Sequence, residues 1–122
     1  MNADAGVPRV PAAHVDTARM PTLDVRRHPG KEQIRGAVRY DARALLKETP
    51  LTLPFAHDST MVVYADDEQT AQRVAARLRQ EGYRNAAVLD GGFEAYRNAG
   101  LPTEEITQEQ PVPGTERGIP RA

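Results

Sequence analysis

The run Thr60-Met61-Val62-Val63-Tyr64 constrains the fold of this chain more than any other stretch. It is continuously apolar and rich in β-branched residues, with no polar alternation. Such a run reads as a strand buried on both faces, the signature of a parallel sheet covered by helices. The downstream sequence supports that reading. After an acidic stretch, Ala71, Val74, Ala75 and Leu78 fall at i, i+3, i+4 and i+7, which predicts an amphipathic helix from about Thr70 to Glu81. Gly82 is placed to end it. Ala86-Ala87-Val88-Leu89 is then a second buried strand. Strand, helix and strand in this order predict an α/β domain of three layers, with right-handed crossovers.

The flanking sequence extends the pattern. Arg9-Val10 reads as a short edge strand, and Pro11 to Asp16 as one helical turn begun by proline. Thr22 to Arg26 is a short strand with Leu23 and Val25 at period two. Arg27-His28-Pro29-Gly30 reads as a turn. Ile34 to Tyr40 leads into another strand, and Asp41 is the N-cap of a helix over 42–47 closed by Pro50 and Pro54. Asp90-Gly91-Gly92 is a turn before a helix from Phe93 to Ala99, capped by Gly100. From Thr103 onward the sequence has three prolines, two glycines and few aliphatics, so disorder is expected there. In a parallel sheet, ligands sit beyond the carboxyl ends of the strands. The loops after Val25, Tyr64 and Leu89 are therefore expected on one rim.

The chain of 122 residues contains no cysteine. That excludes disulfides, thiolate metal sites and any cysteine nucleophile on this chain. Lys plus Arg number 16 against 17 Asp plus Glu, a formal net charge of -1, which argues against nucleic acid as a partner. No apolar run approaches the roughly 20 residues of a membrane span. Neither is a secretory signal visible at the start, and a cytoplasmic location is expected.

The ordered set Asp24-Val25-Arg26, Ile34-Arg35-Gly36-Ala37, Val62-Val63-Tyr64, Gly82-Tyr83-Arg84-Asn85, Leu89-Asp90-Gly91-Gly92-Phe93-Glu94-Ala95-Tyr96 and Gly100-Leu101-Pro102 resembles a single rhodanese homology domain. The resemblance implies five parallel strands between helices over residues 9–106. It leaves 1–8 as a flexible N-terminus and 107–122 as a disordered tail. In active members, as the resemblance implies, the strand matching Met61 to Tyr64 ends in a catalytic cysteine, which opens a six-residue loop of inward amides often ended by arginine. Aligned back from Gly82, the cysteine position is Ala65 and the arginine position is Thr70, so the loop is Ala65-Asp66-Asp67-Glu68-Gln69-Thr70. Both reactive groups are absent. Sulfur transfer needs a thiolate that becomes a persulfide, and a methyl group has no lone pair to offer. The related phosphatase chemistry, Cys-x5-Arg, is lost with it.

Asp66, Asp67 and Glu68 place three carboxylates where the family receives an anion. We expect them to close the loop on itself, either through an Asp66–Gln69 capping box or through Asp67 capping the amide of Thr70. Asp24, Arg26, His28, Gly91 and Gly92 complete the expected rim. Asp24 is read as bonding nearby loop amides, Arg26 as pairing with an acid, and His28 as an exposed turn residue. Gly91-Gly92 is read as a tight turn, and Tyr96 as core packing. His14, His28 and His57 show no metal-ligand spacing, and the acidic triplet reads as partners of the helix dipole; no cofactor or metal is expected. The functional expectation is a catalytically inactive binding or regulatory module, with a protein or basic peptide at the rim. The alternatives are metal- or carboxylate-dependent chemistry at the same rim, or a structural or oligomeric role in a larger assembly. Oligomeric state is left open.

Overall fold

A computed structural model describes residues 7–47 and 53–106 of the chain. The elements are β1 (Arg9–Val10), a 3-10 turn (Ala12–His14), β2 (Thr22–Asp24), β3 (Glu32–Ile34), β4 (Val38–Arg39) and α1 (Ala42–Lys47). They continue with β5 (Met61–Tyr64), α2 (Glu68–Gln80), β6 (Ala86–Leu89), α3 (Gly92–Asn98) and β7 (Thr103–Glu105). Five strands form one sheet in the order β1-β6-β5-β2-β4, and every neighbouring pair is parallel.

The central strand explains the three layers. Side chains alternate across a strand, so Met61 and Val63 point one way, Val62 and Tyr64 the other. Met61 and Val63 join Leu23, Val25, Val74, Ala75, Leu78 and Val88 in a core beneath α1 and α2. Val62 and Tyr64 join Ile34, Leu89 and Tyr96 in a second core on the α3 side. All four β5 residues are fully buried, which is why no polar alternation appears in their sequence. Val7 belongs to the first core, and the Pro8 carbonyl accepts the amide of Val88, so packing begins ahead of β1.

α2 ends as its glycine predicts. Gly82 has φ +102°, the amide of Tyr83 reaches back to Leu78 O, and that of Gly82 to Arg79 O. This is a Schellman closure. Its beginning differs from expectation: α2 starts at Glu68, so Glu68, Gln69 and Thr70 are helical and only residues 65–67 link strand to helix. A good N-cap at Asp67 lets the helix start two residues sooner than the apolar stripe suggests.

Two further differences concern the edge of the molecule. Ile34 to Tyr40 does not lead into a single strand: Glu32–Ile34 leaves the main sheet, and only Val38–Arg39 pairs with β2. The expectation of disorder from Thr103 onward is also corrected. Thr103–Glu105 pairs antiparallel with Glu32–Ile34, with Gln33 opposite Glu104. Glu104 Oε2 accepts from Gln33 Nε2 at 2.7 Å and from the Gly36 amide at 3.1 Å. This ribbon is held by backbone and carboxylate bonds, which leave no trace in an apolar count. Pro50, residues 1–6 of the expected flexible N-terminus and the expected tail 107–122 lie outside the described residues.

Candidate functional site

The rim begins with Asp24, the last residue of β2. It is fully buried. Parallel register sets it beside Tyr64 of β5 and Arg39 of β4. Its Oδ1 accepts the Arg26 amide and Arg26 Nε, both at 3.0 Å. Its Oδ2 accepts Arg26 Nη2 at 2.7 Å, the Tyr64 hydroxyl at 3.2 Å and Arg39 Nη1 at 3.3 Å. Arg26 Nη2 also donates to the Glu32 carbonyl at 2.6 Å. The guanidinium lies 4.5 Å from the Phe93 ring centroid and 5.1 Å from that of Tyr64, a cation–π contact with both rings, which stack on each other at 5.9 Å. The expected roles of Asp24 as a loop brace and of Arg26 as an acid's partner are thus joined in one bidentate buried pair.

Tyr64 links this pair to the β3 ribbon. Its hydroxyl donates to Asp24 and accepts the Ile34 amide at 3.1 Å. Burial, and then the charge of Asp24, push its pKa well above the ordinary tyrosine value. The phenol is therefore neutral and serves as a brace.

The next loop carries Ala65, half-buried, then Asp66 and Asp67, both exposed. Of the two capping arrangements, the Asp67 one is present. Asp67 Oδ1 accepts the Thr70 amide at 2.7 Å, and Oδ2 accepts the Thr70 hydroxyl at 3.1 Å. Asp66 does not form the capping box with Gln69. It turns away from the helix and accepts the Arg27 amide at 2.6 Å and the His28 amide at 3.3 Å. Spacing could not reveal this, because the two partners lie 39 and 38 residues away. Glu68 forms an ion pair with Arg9 of β1. Replacing Asp67 with alanine is expected to lower stability by about 1 kcal/mol, the usual cost of a lost N-cap. Asp67→Ser should recover most of it, read from the midpoint of urea unfolding.

These residues surround a cavity of about 200 Å³ lined by Ala65, Asp66, Asp67, Glu68, Gly91 and Gly92, with Tyr64, Ala71 and Leu89 at its base. Gly91 and Gly92 have φ +78° and +69°, and a Cβ on Gly91 would lie 2.6 Å from that of Ala95. The tight turn brings bare backbone to the cavity wall. Asp24 and Arg26 do not line this space, and His28 meets it only through its amide bonded to Asp66. Beyond the residues expected from sequence, the site depends on Arg9, Arg39, Tyr64 and Phe93. Tyr64 stood in an apolar run and Phe93 at the start of a short helix, so only register and packing reveal their polar partners. Among the described residues, no three His, Cys, Asp or Glu side chains converge as metal ligands. No helix among them is long and apolar enough to cross a membrane.

The lining sets the chemistry open to the cavity. It holds Ala65, Ala71, Leu89 and Tyr64, three acidic residues and the glycine backbone, with no thiol or imidazole. It can bind a cationic or hydrogen-bonding group, but no lining side chain offers the sulfur nucleophile that persulfide chemistry requires.

Solved structures similar to this chain include the rhodanese-like domain of an Anabaena protein, with a TM-score of 0.67 at 23% identity over 85% of this chain and 83% of that one. A thiosulfate sulfurtransferase from Pseudomonas aeruginosa gives 0.66 at 28% identity, covering 80% of this chain and 20% of its own length. Two curated relatives match shorter stretches. A Synechococcus elongatus protein is 43% identical over 58 residues, and the thiosulfate sulfurtransferase YnjE of Escherichia coli is 39% identical over 51. The chain spans only 17% and 12% of their respective lengths. The rhodanese-like domain model matches residues 11–99, most of the chain, and with the parallel sheet and the loop geometry just described this places the chain in the rhodanese-like domain family.

Proposed function

We propose that this chain is a non-catalytic rhodanese-like domain, a protein-binding or regulatory module that takes a basic peptide at the rim around residues 65–71. One observation carries the reading: the cavity at the end of β5 opens on Ala65 and three carboxylates, in a chain without cysteine. Relatives are named for thiosulfate sulfur transfer. This chain shares their domain and offers no thiol on which sulfur could ride. Its acidic lip repels an oxyanion and attracts a lysine or arginine side chain.

The shape of the cavity fits that role. A volume of about 200 Å³ suits one side chain rather than a large ligand. The carboxylates are held by Asp67's cap and by Asp66's bonds to the β2 loop, so the site is organised before binding.

The test is selection of displayed peptides on the wild-type chain, followed by affinity measurement on Asp67→Asn/Glu68→Gln. Asparagine retains the cap while removing charge. Enriched peptides should carry a net positive charge, and the double variant should bind them at least about tenfold more weakly, the equivalent of about 1.4 kcal/mol. Enrichment of acidic or purely apolar peptides, or unchanged affinity in the variant, would refute the reading.

A further inference from the structure

A second cavity, of about 260 Å³, opens on the same rim on the other side of β2. It lies where the loop after β2 meets the loop from β4 into α1. Four arginines line it: Arg26, Arg27, Arg39 and Arg43. Val25 and Ala42 supply an apolar wall, and Asp41 is the acid of the lining. The acidic cavity shares none of these residues. The two are joined by the hydrogen bond from the Arg27 amide to Asp66, so cavities of opposite sign sit back to back.

The charges do not cancel within the cleft. Asp24 neutralises part of the set, pairing with Arg26 at 2.7 Å and with Arg39 at 3.3 Å. Asp41 is engaged with the Arg43 backbone amide at 3.0 Å. Among the described residues, no acid lies within ion-pair distance of the Arg27 or Arg43 guanidinium. Four positive charges against Asp24, Asp41 and the adjoining Asp66 leave a surplus of one, and Arg27 and Arg43 are the two guanidinium groups of the cleft without a carboxylate partner among the described residues. A concave surface focuses such a surplus, and the like charges repel until an anion enters.

We propose that this arginine cleft binds a small phosphate monoester. A monoester carries about -1.5 to -2 charges near pH 7, which matches the two unpartnered guanidinium groups of Arg27 and Arg43. A carboxylate carries one and leaves a guanidinium uncompensated. Guanidinium forks bond phosphate oxygens in pairs, and a lysine-built site would not select that geometry. The wall of Val25 and Ala42 receives the organic part of the ester. Arg26 is 7% exposed, with Nε and Nη2 engaged by Asp24 and Glu32 O, so it lends charge rather than a fork, while Asp24 holds Arg39 in place ahead of binding. The exposed Arg27 and Arg43 close on the ligand from the loop after β2 and from the first turn of α1.

The experiment is a nitrogen-15 NMR titration of the full chain with phenyl phosphate, benzoate and inorganic phosphate. Arg26 and Arg39 are left intact because they hold Asp24. Saturable shifts are expected for residues 25–27 and 39–43. Phenyl phosphate should bind at least about tenfold more tightly than benzoate, and several-fold more tightly than inorganic phosphate. Arg27→Gln/Arg43→Gln should weaken phenyl phosphate by about a hundredfold, given two lost charge-assisted contacts. Arg73→Gln, on the exposed face of α2, should leave binding unchanged, and the amide spectra of both variants report that the fold is kept. Equal affinity for benzoate or for inorganic phosphate overturns the assignment. So do native affinity in the double variant, shifts centred on residues 66–71, and the absence of any saturable shift.

Discussion

Replacing Asp24 with alanine is expected to lower the folding free energy by about 3–5 kcal/mol, a large share of what a domain of this size possesses. The reason is the number of groups that one carboxylate satisfies. Arg26, Arg39, the Tyr64 hydroxyl and the Arg26 amide all bond to it, and it has no exposure to water. Without it, the Arg26 guanidinium stays buried against Tyr64 and Phe93 with its paired carboxylate gone. Removing one partner from a buried pair costs far more than the pair contributes, because the remaining charge cannot reach water. Asp24→Asn should recover only part of the loss, since an amide accepts hydrogen bonds without supplying charge. Removing both ends, as in Asp24→Leu/Arg26→Met, should cost less than Asp24→Ala alone. Chemical unfolding of the four proteins checks the order. A loss below about 1 kcal/mol for Asp24→Ala would show that the network is not what holds the β2 end of the sheet.

The second large effect concerns sulfur transfer from thiosulfate to cyanide. The native chain is expected to show no turnover, because it has no thiol to carry a persulfide. Ala65→Cys alone is expected to remain poor. Asp66, Asp67 and Glu68 raise the thiol pKa by like-charge proximity and repel the incoming dianion. At about 4 Å in water-like surroundings each unit charge costs about 1 kcal/mol, so the three together amount to about a hundredfold. The chain to compare is Ala65→Cys combined with Asp66→Asn, Asp67→Ser and Glu68→Gln. Serine keeps the cap on Thr70, and asparagine keeps an acceptor for the Arg27 amide. This variant should exceed Ala65→Cys in kcat/KM by about two orders of magnitude. Turnover by the native chain would overturn the central chemical claim. Equal activity in the single and combined variants would show that the carboxylates do not close the loop.

The three-layer sheet was legible because its evidence is local. Met61 to Tyr64 and Ala86 to Leu89 are apolar throughout, and the Ala71, Val74, Ala75 and Leu78 stripe has helical period. Such patterns record how many faces of an element are buried, and burial on both faces leaves few architectures. The closed loop was legible in part. Asp67 capping Thr70 spans three residues and can be read from spacing. Asp66 bonding Arg27 and His28 cannot, since nothing local distinguishes one exposed aspartate from the next. The ribbon of Thr103–Glu105 was hidden for a different reason. Its partner strand is distant, and its stabilising bonds are backbone and carboxylate bonds that hydropathy does not register.

The sequence by itself determined the chemistry that this chain lacks and the layered sheet that it builds. Both depend on residue identity and short-range period, a cysteine count of zero and apolar runs of strand length. Tertiary structure alone decided the electrostatics of the rim. Parallel register put Tyr64 beside Asp24, folding set Phe93 over Arg26, and a loop and a helix start apart in sequence brought Arg27 and Arg43 to one cleft. A charge acts through space over a few ångströms, whatever the separation along the chain, so its partners become defined only when the sheet has closed.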